Sequence, residues 1–247
     1  MLVIPTNKLQ LACAIALEWD LLTSAVQALK QHYIPLTSLS SRAYDILDSD
    51  QHHEKTVRRE IIKVALRYLA TDSLLCWDPT NAANVSGLDG GDTDGEGLRE
   101  IQKRIAQPII SYLTAHVWPG VQLRPILEPD SILPLAQPAE TTQMVEQWLM
   151  RLPAFELAGL ERAFLASKSL LIATRLVVQW SDAFSELRDI GSADEEFNIE
   201  QAAAASSSET KWQTDRWGEV EDSHDVNNED LRRQLGSVIV LVSGSSA

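Results

Sequence analysis

The chain has 247 residues, 45% of them apolar, and a formal net charge of −14. That size fits one large domain or two small ones, with enough apolar material for a core of its own. The acidic balance excludes a nucleic-acid binder, which needs a basic face to displace counterions, and argues against anionic membrane surfaces. No apolar run reaches the roughly 18–20 residues of a membrane span, so no membrane insertion is expected.

In chain order, residues 2–4 read as a short strand. Pro5 and Thr6 then start a helix, with Thr6 as its N-cap. Leu9, Ala12, Ile15, Ala16, Trp19, Leu22, Val26 and Leu29 recur at three or four residues and predict one apolar stripe to about Gln31. The chain opens directly on this strand with no signal peptide in view, as a fragment or a processed chain would. Pro35 begins a second, shorter helix lined by Thr37, Leu39, Ala43 and Leu47. Residues 50–70 carry Val57, Ile61, Val64, Ala65 and Tyr68 as an inner helical face. His52 and His53 are adjacent, diverge by about 100° on a helix, and make poor joint metal ligands. Residues 72–77 read as a strand ended by Pro79. Cys13, on the first helix, and Cys76, in that strand, are expected to be buried thiols suited to a reducing compartment.

Residues 80–97 are rich in Gly, Asp and Asn without an apolar period, which predicts a loop. A calcium-loop reading fails there. With Gly95 as the turn glycine, positions one and twelve fall on Gly90 and Ile101, where carboxylates are required. Leu98, Ile101, Ile105, Ile109 and Leu113 form the next stripe, with Pro108 expected to kink it. Residues 121–127 alternate as a strand would. Val145, Trp148 and Leu149 mark another helix, and Pro153 sits well at the first turn of the one after. Residues 170–178 are apolar nearly all round and predict the central buried helix. Residues 182–194 look like a loop or insertion. Residues 195–217 read as one long helix, and a capping box over Ser206 to Glu209 offers a restart at Ser206 instead. A short helix over residues 230–234, broken by Gly236, leads to a terminal strand over residues 237–242. The expected fold is α+β: a mostly α-helical, orthogonally packed bundle with a small β-sheet made from short, dispersed strands, forming one domain over residues 1–247.

The stretch from Glu209 to Asp225 concentrates aromatic and charged side chains. On a helix Glu209, Trp212 and Arg216 share a face, and Gln213 and Trp217 form the neighbouring stripe. Gly218 is placed to end the helix in the left-handed region. The acidic run Glu219, Glu221, Asp222 and Asp225 follows, with His224 inside it. Broad aromatic surfaces ringed by Arg, Glu and Gln have the composition of a protein-binding hot spot. The alternative is that both tryptophans are core residues and the charges a solvated face.

Catalytic grammar is missing. The sequence has no glycine-rich phosphate loop, no H-E-x-x-H, no C-x-x-C and no G-x-S-x-G. The most enzyme-like cluster, Glu221, Asp222, His224 and Asp225, has the residue types for a divalent metal or a carboxylate-paired base. It implies no nucleophile, however, and sequence neighbours rarely converge on one point. A protein-binding role, without cofactor or metal, is the reading the composition favours. The alternatives are an acidic adaptor of other specificity and a metal-dependent enzyme at His224.

The carrying motifs are E-Q-A at Glu200, then Glu209, Gln213 and W-G at Trp217. E-V-E-D-S-H-D-V from Glu219 and L-R-R-Q-L-G-S from Leu231 follow, with weaker echoes upstream: L-x-x-A-x-x-x-E-W ending at Trp19, P-L-T-x-L from Pro35, T-D-x-L-L-C from Thr71 and L-P-L-A-Q-P from Leu133. In these the chain resembles the mitochondrial assembly chaperones that bind the free α subunit of the ATP synthase catalytic sector, the ATP-twelve family. The resemblance covers nearly the whole chain, and its terminal motif is the specific one. The family's small β-rich N-terminal part is largely missing apart from its last strand, and the loops at 80–97 and 182–194 look extended.

The resemblance implies a monomeric, non-enzymatic chaperone of the mitochondrial matrix. It would shield the unassembled α subunit from aggregation until the β subunit replaces it. Glu209 falls where the family carries a functionally important glutamate. The resemblance therefore implies partner binding through Glu209, Trp212, Gln213, Arg216 and Trp217, together with Glu219, Glu221, Asp222, His224 and Asp225.

Overall fold

Ten consecutive residues, Leu170 to Gln179, are all buried in helix α7 (Leu170–Trp180), the all-round apolar segment expected to be central. In the computed structural model, which describes residues 2–52, 54–79, 97–127, 134–188, 196–218 and 223–244, ten further helices occur among those residues. They are α1 (Leu9–Asp20), α2 (Pro35–His52), α3 (Thr56–Ala70), α4 (Leu98–Tyr112), α5 (Ala139–Arg151), α6 (Ala154–Ser167), the single turn α8 (Ser185–Arg188), α9 (Ile199–Ser206), α10 (Ser208–Trp217) and α11 (Ser223–Val242).

Helix α6 is the second axis of the core. Residues Ala154 to Leu160 are buried without interruption, because α6 packs against α7, α2 and α11 at once. Gly159 permits the closest of these approaches. A Cβ there would stand 2.9 Å from Val242 Cγ1 and 3.3 Å from Val238 Cγ1. Packing this tight leaves no room for a methyl group without displacing neighbours.

The expected β-sheet is not formed: the described residues contain no strand, and the fold is all-α. None of the four expected strands is formed among the described residues. Residues 2–4 run as an unpaired segment, with the carbonyl of Val3 accepting from Tyr44 Oη. Residues 72–77 are drawn into a 3-10 turn, Ser73–Leu75, because Asp72 Oδ1 accepts from Leu74 N at 3.0 Å. The same carboxylate reaches across 99 positions to cap α7, with Oδ2 accepting from Leu171 N at 3.0 Å.

Residues 121–127 form no ladder; their backbone bonds are isolated, among them Ile126 N to the Leu75 carbonyl at 2.9 Å and Leu135 N to the Ile126 carbonyl at 2.7 Å. The side-chain amide of Gln137 takes the place of a pairing strand. It accepts from Arg124 N at 3.0 Å and donates to the Arg124 carbonyl at 2.7 Å. Residues 237–242, a β-branched run, continue α11 instead, and Gly236 does not break it. Burying Val238, Leu241 and Val242 against α6 outweighs the strand propensity of that run.

Two helix boundaries also differ from expectation. Helix α1 stops at Asp20, because Gln27 Oε1 accepts from Thr23 N, Thr23 Oγ1 and Ser24 N and holds a local turn. Its buried residue is Leu11, while Leu9, Trp19, Val26 and Leu29 of the expected stripe are exposed. Lys8, not Thr6, precedes the helix. Its ammonium is buried and donates to the carbonyls of Leu241 and Val242 at 3.0 Å, so the start of α1 caps the end of α11. Helix α2, expected to be the shorter of the first two, has 18 residues against 12 in α1. Pro108 does not end α4, which runs on into a π-helical turn, Leu113–Val117.

Neither cysteine is a buried thiol. Cys13 is exposed and Cys76 is half-buried. No described helix is long and apolar enough to cross a membrane. The calcium-loop segment, residues 80–96, lies outside the described residues, as does His53. The first seven residues of the expected 182–194 loop form a 3-10 turn, Asp182–Phe184, and α8; the rest lies outside the described residues.

Candidate functional site

Residues 199–217 do not form one helix. The chain breaks at Ser207, where α9 ends and α10 begins. A true capping box lies further upstream, where Asn198 and Gln201 exchange bonds, Gln201 N to Asn198 Oδ1 at 3.0 Å and Asn198 N to Gln201 Oε1 at 2.9 Å. At the break itself the hydroxyls of Ser206 and Ser207 donate back to the carbonyls of Ala202 and Ala203. Glu209 does not close a capping box. The restart occurs close to where the sequence placed it, but by another mechanism.

Helix α10 has no buried residue. It packs on α4. Its stability is local: Glu209 stands in the first turn and Arg216 in the last, each opposing the helix dipole. Gln213 Nε2 donates to Glu209 Oε1 at 3.2 Å, one helical turn apart. Gly218 ends the helix with φ +87° and ψ 160°, a conformation open to glycine but lying outside the left-handed helical region that was expected. Its N–H donates to the Thr214 carbonyl at 2.8 Å.

The two tryptophans of α10 are not core residues. Trp212 is half-buried and Trp217 is 69% exposed. Their rings meet edge to face, with centroids 5.7 Å apart and planes at 90°. The Arg216 guanidinium lies 4.8 Å from the Trp212 ring centre, so the shared face expected for positions 212 and 216 is formed. The result is an aromatic L-shape with a cation on one arm and the Glu209–Gln213 clasp one turn away. An indole this exposed gains little for the fold and offers a large area for a partner.

The platform under α10 was not legible as a site. Residues 76–78 are strapped to α4 by Gln102, whose Oε1 accepts from Asp78 N at 2.7 Å and whose Nε2 donates to the Cys76 carbonyl at 3.2 Å. Arg99 lies over the Trp77 ring at 5.9 Å. Glu209 faces this strap: burial pushes the Cys76 thiol up from its ordinary range, and the charges of Asp72 and Glu209 push it the same way. Gln102, one position off the apolar stripe of α4, was the available signal for a polar strap.

The acidic run is only partly within view. Glu219, Glu221 and Asp222 lie outside the described residues. His224 and Asp225 fall in the first turn of α11. No group of three or more His, Cys, Asp or Glu side chains that could hold a metal occurs among the described residues.

Comparison with known proteins gives a consistent picture. A family model described as ATP12 chaperone protein matches residues 1–114. The mitochondrial protein atp12 of Schizosaccharomyces pombe is 31% identical over 239 residues, covering 96% of this chain and 70% of that protein. The mitochondrial protein ATP12 of Saccharomyces cerevisiae is 27% identical over 255 residues, covering 97% and 72%. Among solved structures, Atp12 from Paracoccus denitrificans superposes with a TM-score of 0.65 at 18% identity, over 97% of this chain and 84% of that one. Atu1473 from Agrobacterium tumefaciens gives 0.63 at 21% identity, over 98% and 72%. These structures establish the shared fold; the S. pombe relative establishes the family. The chain belongs to the ATP12 chaperone family and is accordingly a chaperone of ATP synthase assembly, not an enzyme.

Proposed function

We propose that this chaperone holds the free α subunit of the ATP synthase catalytic sector through α10 and the acidic run that follows it in sequence, in the mitochondrial matrix and as a monomer. The observation that carries the reading is the contact of half-buried Trp212 with exposed Trp217 on a helix that has no fully buried residue. Glu209, Gln213 and Arg216 orient that face, and Glu219, Glu221, Asp222, His224 and Asp225 extend it with acidic charge. The mechanism is mass action. A transient cap on apolar surface lowers the free concentration of an aggregation-prone subunit until the β subunit takes its place. No cofactor enters the cycle.

The test is co-purification of Glu209→Lys and Trp217→Ala variants with the α subunit, alongside circular dichroism. Lost capture with an unchanged helical spectrum supports the reading. Full capture by both variants contradicts it.

A further inference from the structure

A broad groove of about 1300 Å³ runs between α2, α6 and α11 and ends at the start of α10, where Ser207 and Thr210 form part of its wall. A second depression of about 490 Å³ adjoins it, sharing Gln31, Leu39, Arg162, Asp230 and Gln234. The combined lining carries five cationic side chains against three carboxylates, in a chain whose net charge is −14. A locally positive cleft on an acidic protein needs a reason.

Two of the five cations are already neutralised. Arg42 makes a two-pronged pair with Glu161, Nε to Oε2 at 2.7 Å and Nη2 to Oε1 at 2.8 Å. Arg233 pairs with Asp230 and donates to the His32 carbonyl. Lys168 donates to the Leu165 carbonyl at 2.7 Å, which leaves its charge unbalanced. Lys30 is exposed at the rim of the smaller depression.

Arg162 differs from all of these. It is half-buried on α6 where the two depressions meet, yet it has neither a hydrogen bond nor an ion pair among the described residues. A guanidinium carries five donors in a planar fork that matches a carboxylate. Leaving it partly desolvated and unpaired brings the fold no stability.

We infer that this groove takes an acidic segment of the client subunit, with a client carboxylate seated on the Arg162 fork. The inference rests on the function proposed above and adds the chemistry of a second contact. The groove begins where α10 begins, so one client can lie across the tryptophan face and along the cleft. Charge complementarity selects the segment: Lys30 and Lys168 line the cleft with Arg162, while Glu161 and Asp230, two of its three carboxylates, are already bonded to arginines. Aromatic contact on α10 supplies area, and the charged cleft supplies orientation and faster encounter.

The experiment measures α-subunit affinity at low and high salt for the wild type, Arg162→Glu, Arg162→Lys and a control, Lys63→Gln on α3. Arg162→Glu is expected to lose at least about tenfold at low salt, the scale of one charge-assisted hydrogen bond. Its salt dependence should be shallower than the wild type's. Arg162→Lys should recover part of the loss by restoring charge without the fork, and Lys63→Gln should bind as wild type. Arg162 has no partner among the described residues, so thermal midpoints should stay together. Equal binding by Arg162→Glu and wild type would overturn the groove assignment alone, as would an equal loss in Lys63→Gln. Failure of the wild type itself to bind the α subunit would overturn the proposed function and this inference with it.

Discussion

Helices α7 and α10 are nearly equal in length and opposite in character. In α7 ten of eleven residues are buried, whereas in α10 none of ten is. Helix α7 is fixed by packing from every side, with Ser169 and Asp72 capping its first turn. Helix α10 is held by its own termini, one side-chain pair and a contact with α4. The difference separates two uses of large side chains. Phe164 on α6 is fully buried and contributes to stability; Trp217 is mostly in water and is available to bind. On the proposed function both uses are required, since an element offered to a client cannot also be the one that keeps the fold closed.

That contrast can be broken at several points. The largest effect is expected in the core. Phe164→Ala removes a fully buried ring that sits 5.0 Å from Tyr68, and should cost about 3–5 kcal/mol in urea unfolding. Gly159→Ala should cost about 1–3 kcal/mol, because the added methyl meets the α11 valines. A hydrogen-exchange map of that variant should show α11 losing protection before α7 does.

The next effect depends on pH. Burial raises the Asp72 carboxyl from 3.8 to about 6, against the opposing pull of its bonds to Ser169 and to backbone N–H groups. Its folded value lies above its unfolded value, so the folded state takes up the proton first. Stability from this group is therefore fully present below about pH 4 and is lost as pH rises through about 6. Thermal midpoints of the wild type and Asp72→Asn, compared between pH 7 and pH 4, should diverge in favour of the wild type as pH falls. A constant difference across that window would show that Asp72 does not titrate there.

The sequence announced α7 and the apolar side of α5 clearly, because burial on every side leaves a continuous apolar run and burial on one face leaves a stripe. It also placed Trp212 and Arg216 on one face, since neighbours on a helix surface follow from spacing alone. It misread residues 72–77 and 237–242 for a common reason. Both are apolar and short, and their conformation is decided by partners far away in the chain: Asp72 with the start of α7, and Val238 and Val242 with Gly159. The stripe assigned to α1 failed because its apolar residues outnumber what the core accepts, and Leu11 rather than Leu9 points inward. Arg162 gave no signal at all, because a missing partner is visible only once the surrounding helices are in place.

The smallest expected change in stability tests the largest claim. Trp217→Ala should leave urea stability within about 0.5 kcal/mol of wild type, as for an exposed residue outside the core. The same substitution should weaken binding of the free α subunit by about thirtyfold or more, the scale of an aromatic hot spot. Affinity unchanged by Trp217→Ala, or lost only in step with unfolding, would contradict the account.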